Sequence, residues 1–349
     1  MKHKYRKTAT VAGVLLTSMA AHADTFTGDG DGTSWEDPDN WLGDSVPASN
    51  ASNILIVGDS DVTLDAGTWS YLESNNLLHS STEYRLARLL MGESNAGADS
   101  GTHTLTLDQG VGNTIRATNS SSANVGTRAN KHSILNIVSG TTNLEAGRIV
   151  VGSAADSSGT INVNGGDLVL GRGGLELGFS GTGTINITAG SFINRNDVEI
   201  FGGGTFHVAG SAPITIGIGS SASLDGNWEQ ASGGVLRTGI DAGGMTTILI
   251  DDVDDDGAGL QGNATFAAGS ILDPYDLGGA TPDIWHTVMT WEGTVTGAPT
   301  LSVDAVNAGW MSQISGNNLQ VQLTSIPEPS AALLGGLALI GLGLRRHRD

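Results

Sequence analysis

The sequence predicts an all-β chain, organised as a parallel β-solenoid (β-helix) with capping β regions on either side. Three observations predict it. Two glycine-marked repeats interleave at nearly one period. Apolar-polar-apolar triplets accompany the glycines. All seven tryptophans fall outside the repeated stretch.

The first repeat reads Leu105-Thr-Leu-Asp-Gln-Gly110, Leu135-Asn-Ile-Val-Ser-Gly140, Ile161-Asn-Val-Asn-Gly-Gly166 and Ile185-Asn-Ile-Thr-Ala-Gly190, with a shorter relative at Phe206-His-Val-Ala-Gly210. Its glycines step by 30, 26, 24 and 20 residues. The second runs through Leu90-Met-Gly92, Asn124-Val-Gly126, Val150-Val-Gly152, Glu176-Leu-Gly178 and Ile200-Phe-Gly202, with steps of 26, 26 and 24 from Gly126 to Gly202. Chance in a glycine-rich chain does not readily keep two series at one period.

Alternate apolar residues are the signature of a strand with one buried face. Glycine after each run suits a corner that needs positive φ. Coils of roughly 20–30 residues, each stacking its strands about 4.8 Å from the next, account for both. Residues 85–225 are assigned to these repeats, 24–84 to an N-terminal cap region and 226–325 to a C-terminal β cap region. Trp35, Trp41 and Trp69 precede the repeat, and Trp228, Trp285, Trp291 and Trp310 follow it. Bulky indoles suit capping layers better than a narrow core of Val and Ile.

Both ends carry export features. Lys2, Lys4, Arg6 and Lys7 precede an apolar stretch, and Ala21-His22-Ala23 has the small-x-small order read by signal peptidase. Residues 1–23 are thus a signal peptide, cleaved before Asp24 between Ala23 and the mature chain. The other end reads Ile326-Pro327-Glu328-Pro329, fifteen uncharged residues, then Arg345-Arg346-His347-Arg348-Asp349. The prolines hold an extended segment. The fifteen residues would make a short transmembrane helix of about 22 Å, less than the ~30 Å of a bilayer's hydrocarbon core. Arg345, Arg346 and Arg348 would stay on the cytoplasmic side.

This tail, 326–349, resembles the PEP-CTERM sorting signal through Pro327, Glu328, Pro329, the short Gly/Leu-rich helix and the arginine cluster. The resemblance implies processing by an exosortase, transient anchoring in the inner membrane, and delivery to the cell surface or the extracellular matrix. It also implies a link with exopolysaccharide and biofilm. The mature chain resembles envelope proteins with autotransporter-associated β-strand repeats, through Gly30-Asp-Gly-Thr-Ser-Trp35-Glu-Asp-Pro-Asp-Asn40-Trp41 and through Trp291-Glu-Gly293, Gly309-Trp310 and Gly316-Asn-Asn-Leu-Gln-Val-Gln-Leu323. It departs from true autotransporters in having no run of ten-residue alternating strands to build a membrane barrel.

Composition narrows the partners. Without the leader and the tail, nine Lys and Arg face 34 Asp and Glu, a net charge of −25. Such a surface repels nucleic acid and anionic lipid. Cations and uncharged glycans suit it better. There is no cysteine, so burial and backbone pairing alone must hold this exported chain.

Few residues point to chemistry. Asp252, Asp254, Asp256 and Gly257 match positions 1, 3, 5 and 6 of a calcium loop. Position 12 is Asn263 instead of a bidentate Glu, and no helices are expected to flank the segment. A solvated acidic loop and a weak calcium site both remain open. Asp29 and Asp31 raise the same question, with a turn as the plainer reading. A lyase needs a base beside a carbanion, and the mature chain has one lysine, Lys131. A hydrolase needs two acids across a glycosidic bond, and the acids of the repeat are thinly spread, Asp167 and Glu176 among them. His103, His132 and His207 look isolated. The expectation is a non-catalytic structural protein without an obligatory cofactor; a glycan-binding or polysaccharide-degrading β-helix is the alternative.

Overall fold

The computed structural model describes residues 24–325 apart from 50–52, 57–59, 93–100, 119–122, 127, 145–146, 172, 211, 218–225 and 252–261. Within them the chain is mostly β-strand, with little helix. The strands form two sheets. A ten-stranded sheet runs from Asp24–Phe26 through Ile149–Val151 and Val198–Ile200 to Val295–Thr296, every neighbour parallel. A seventeen-stranded sheet holds two columns. One runs from Asp61–Leu64 to Thr300–Leu301, the other from Glu83–Leu86 to Trp285–Trp291. Between Ile54 and Trp291 each circuit of the chain gives one strand to the first sheet and then crosses both columns of the second, Ser158–Leu170 and Thr182–Asn194 each spanning the two columns as one strand.

The register explains the repeat. Val62, Leu105, Leu135, Ile161, Ile185, Phe206, Leu236 and Leu272 are paired in turn on consecutive strands, and all are buried. The first sheet contributes a facing row of Ile56, Met91, Val125, Val151, Leu177 and Ile200. Each such side chain contributes roughly 1.5–3 kcal/mol on burial. One continuous apolar cluster results, from Phe26 to Val321.

The same ladders run through the regions expected to be caps. Strands Ile54–Ile56 and Ala264–Phe266 belong to the ten-stranded sheet like those of the repeat. The boundaries at 84/85 and 225/226 therefore mark no change in pairing. What changes is circuit length. Ile149 and its partner Leu175 are 26 residues apart, and Leu175 and Val198 are 23 apart. Trp228 and Ala264 are 36 apart. Insertions such as α1 (Ala66–Ser74) lengthen the outer circuits without disturbing their strands.

The tryptophans divide. Trp35 and Trp41 pack edge to face with Phe26 and Tyr84 at the N-terminal end, with centroids 4.9–6.1 Å apart. Trp228 instead lies inside a circuit, fully buried and 5.2 Å from Phe206, itself 5.5 Å from Phe192. Its register neighbours are Val198 and the small Ala264, and small residues beside it leave volume for the indole. At the C-terminal end, α2 (Val303–Asn307) and an antiparallel hairpin of Trp310–Ser315 and Asn318–Leu323 close the seventeen-stranded sheet.

Corner glycines hold the circuits close. Gly92, Gly126, Gly152 and Gly178 share φ of 65–68°. The Gly152 N–H donates to the Val125 carbonyl at 3.0 Å, and a Cβ there would stand 1.9 Å from the Thr182 oxygen. Gly202, expected as the next corner, departs from this series. The N–H that pairs with Leu177 belongs to Phe201, and Gly202 is absent from the left-handed glycines. The circuit is one residue shorter than the sequence alignment implies, because Leu177 pairs with Ile200.

The leader and the tail, with the uncharged stretch expected to form a transmembrane helix, lie outside the described residues, as do Asp252, Asp254 and Asp256. Among the described residues no helix is long and apolar enough to cross a membrane.

Substitution at Gly152 separates crowding from backbone strain. Gly112 also has positive φ but open space around it. Gly112→Ala should cost about 1–2 kcal/mol, the left-handed penalty alone. Gly152→Ala should cost at least twice as much in chemical denaturation. Equal losses would mean that the circuits are not in contact at that corner.

Candidate functional site

Parallel pairing in register stacks outward side chains as well as inward ones. On the outer face of the seventeen-stranded sheet, one position carries Thr106, Asn136, Asn162, Asn186, His207, Arg237 and Asp273 on seven consecutive strands. The amides form a directed chain. Asn186 donates to Asn162 Oδ1 at 2.8 Å, Asn162 to Asn136 Oδ1 at 2.8 Å, and Asn136 to Thr106 Oγ1 at 3.2 Å.

That direction decides the histidine. Asn186 Oδ1 can only accept, and His207 Nδ1 lies 3.0 Å from it, so Nδ1 carries the proton. His207 Nε2 is then an acceptor for the Tyr275 hydroxyl, 2.7 Å away. Burial first, and Arg237 second, push the imidazole below its ordinary value and favour this neutral form. Burial pushes the Tyr275 phenol up, so it stays protonated as the donor.

Tyr275 reaches His207 across the intervening strand. It pairs with Gly239, where a Cβ would stand 2.6 Å from the phenol ring. Only glycine leaves that path open. The Arg237 guanidinium lies 4.9 Å from the ring centroid, a cation–π contact, and its Nε is 3.4 Å from Asp273 Oδ2. Asp273 Oδ1 accepts from Ser302 at 2.5 Å. These groups border a groove of about 370 Å³, with Arg237, Asp273 and Tyr275 on the sheet and Asp304 and Trp310 on the C-terminal segment.

The ten-stranded sheet carries a different column. Glu176, Glu199 and Glu229 face outward in register on three adjacent strands. Arg148 pairs with Glu176. Burial, then Glu176 and Glu229, push the Glu199 carboxyl above its ordinary value. A shallow groove of about 240 Å³ runs beside Glu199, Phe201, Glu229 and Thr265. Phe201 meets the exposed Phe179 edge to face at 4.9 Å.

The residues singled out in the sequence do not converge on one site. Asp167 and Glu176 do not meet: Asp167 lies on the seventeen-stranded sheet, where it accepts from Ser191 at 2.6 Å, and Glu176 on the other. His207 is not isolated. Its signal was present in the repeat, where Phe206-His-Val stands in the place of Ile161-Asn-Val and Ile185-Asn-Ile. The thinly spread acids nonetheless share a register where Leu175-Glu-Leu177, Val198-Glu-Ile200 and Trp228-Glu-Gln230 pair in turn. Asp31 serves a turn, accepting from the Thr33 and Ser34 N–H groups at 2.9 and 2.8 Å and from Asn40 at 2.7 Å. These bonds, that from the Ser34 hydroxyl first, hold its carboxyl well below the usual range. Among the described residues no group of three or more ligating side chains is arranged to hold a metal ion. Asp24, expected to follow the cleavage site, begins the first strand, with its N–H donating to Asn53 O at 2.8 Å.

The mostly parallel β architecture and its outward polar ladders characterise the described residues; the tail carries a sorting motif. Residues 325–348 match the model of the PEP-CTERM protein-sorting motif. That motif implies processing by an exosortase, with export and membrane anchoring before release at the cell surface. No match was found among curated proteins or among solved structures.

The glutamate column gives a pH-dependent prediction. A carboxyl raised by folding favours the folded state fully only below its unfolded value, about 4.3. That contribution is lost as pH rises through the folded value. Glu199→Gln should therefore raise the melting temperature at pH 7 and have little effect at pH 4. A variant less stable than the parent at pH 7 would contradict the repulsive column.

Proposed function

We propose that this protein is an exosortase-sorted structural component of the cell surface or extracellular matrix, built as a β-solenoid rod and associated with exopolysaccharide, with no catalytic role. The observation that carries this reading is the unbroken set of strand ladders from Asp24 to Leu301 joined to a sorting tail. Ten strands spaced about 4.8 Å apart give a stiff body some 45 Å long. Its ends are filled by the Trp35–Trp41 cluster and by α2 with the hairpin. Filled ends favour single rods over end-to-end strand addition. Signal peptidase and exosortase act on the chain in transit, and the inner membrane holds it briefly. The negative charge argues against nucleic acid as a partner.

A second reading, a glycan-binding module, is favoured by the groove at Arg237 and Tyr275. The non-catalytic reading is supported by how the titratable side chains are engaged. His207 is bonded at both ring nitrogens, and Arg148 and Arg237 are each paired with a carboxylate.

Delivery is tested by replacing Pro327, Glu328 and Pro329 with alanine in the producing cells. The parent should be recovered from the polysaccharide-containing matrix without its tail, as shown by intact mass. The variant should stay with the membrane fraction, tail attached. Recovery of both forms as free soluble protein, with none in the matrix, would contradict the proposal.

A further inference from the structure

The groove beside the His207–Tyr275 pair presents both hydrogen-bond donors and acceptors. Arg237 uses Nε toward Asp273, and half of its side chain is exposed, so further N–H donors of the fork are open to a ligand. Asp304 stands exposed in the first turn of α2, across the groove. Asp276, also on the lining, is occupied differently. Its Oδ1 accepts from the N–H groups of Gly278, Gly279 and Ala280 at 2.8–2.9 Å. The volume of about 370 Å³ falls in the ~300–1,000 Å³ range of small-ligand clefts.

Charge selects the ligand class. Three carboxylates and one guanidinium line the groove. An anionic ligand meets the carboxylates, and a cationic one meets Arg237 at close range. A hydroxyl both donates and accepts, so adjacent hydroxyls satisfy the fork and the carboxylates together. An apolar ligand would cover the open guanidinium N–H groups and Asp304 without supplying them a partner.

The donor fork is held in place before any ligand arrives. Arg237 rests on the Tyr275 ring, Tyr275 is anchored by His207, and His207 by Asn186. Gly239 leaves the space that Tyr275 crosses. Groups fixed in advance lose less entropy on binding. We propose that this groove binds a neutral polyhydroxylated sugar, with Arg237 donating to, and Asp304 and Asp273 accepting from, neighbouring hydroxyls. Tyr275, His207 and Gly239 are positioning residues for Arg237.

The proposal deepens the matrix reading by naming a ligand class, and it rests on that reading for its biological setting. Its test uses purified full-length protein and no cells, so it stands or falls apart from delivery. Calorimetric titration would compare neutral hexamers of glucose, galactose and mannose with a hexa-uronate and a glucosamine hexamer. At least one neutral hexamer should bind saturably and more tightly than either charged one. Arg237→Leu should weaken it tenfold or more, and Asp304→Asn, on an exposed turn, about fivefold. Gly239→Ala, which touches no ligand in this scheme, should also weaken it, and Tyr275→Phe should do so by loss of one hydroxyl. Glu199→Gln, on the other sheet, should leave it unchanged. Melting curves identify any variant that has lost its fold, and Asp304→Asn and Tyr275→Phe then carry the test. The proposal is overturned if no neutral hexamer binds, if a charged hexamer binds more tightly, or if the folded variants bind like the parent.

Discussion

Parallel pairing in register between successive circuits is the constraint on which the rest of this protein depends. Once Leu135 pairs with Ile161, and Ile161 with Ile185, the neighbouring positions from Ser158 to Val163 are stacked too. The buried rows, the asparagine ladder and the glutamate column are three consequences of one geometry. Apolar residues gain by it, since each row closes against its neighbours. Amides gain as well, because side-chain donor and acceptor can alternate along the stack. Like charges lose: burial first, and then Glu176 and Glu229, push the Glu199 carboxyl above its ordinary value.

Register also forces local accommodation. Trp228 occurs beside Ala264, and Tyr275 lies over Gly239. Gln230 occupies the buried row between Ile200 and Phe266, and its amide donates to the Gly234 and Ile271 carbonyls at 2.7 and 2.8 Å. A polar group that deep needs such partners. The corner glycines serve a related purpose, because a side chain at Gly152 would occupy the space of the next circuit's backbone.

The central circuits were legible in the sequence because they carry few insertions. Partners such as Val150 and Glu176 keep a 26-residue spacing, and the glycines follow it. The outer circuits were not legible as such. Trp228 and Ala264 pair across 36 residues, and Ile54 and Leu89 across 35, so the period dissolves while the pairing persists. The glutamate column was hidden for the same reason, with steps of 23 and 30 residues between its members. His207 was visible as a substitution in an asparagine series. Its bond to Tyr275 was not, because 68 residues and an intervening strand separate the two. The helix α1 has local signals in Asp65, its N-cap, and a buried Trp69 and Leu72, but these were overshadowed by the strand pattern around it.

The register can be measured directly because the chain has no native cysteine. Glu199 and Glu229 are direct partners on neighbouring strands, 30 residues apart in sequence. At a strand spacing of about 4.8 Å they fall within the Cα separation of about 4.4–6.8 Å that a disulfide tolerates. The double variant Glu199→Cys/Glu229→Cys should form an intramolecular disulfide under mild oxidation, seen by mass after trypsin digestion without reductant. Glu199→Cys/Ala231→Cys, two residues out of register, should not. Efficient crosslinking of the second pair with none in the first would contradict the stacked, in-register circuits on which the fold and its candidate site rest.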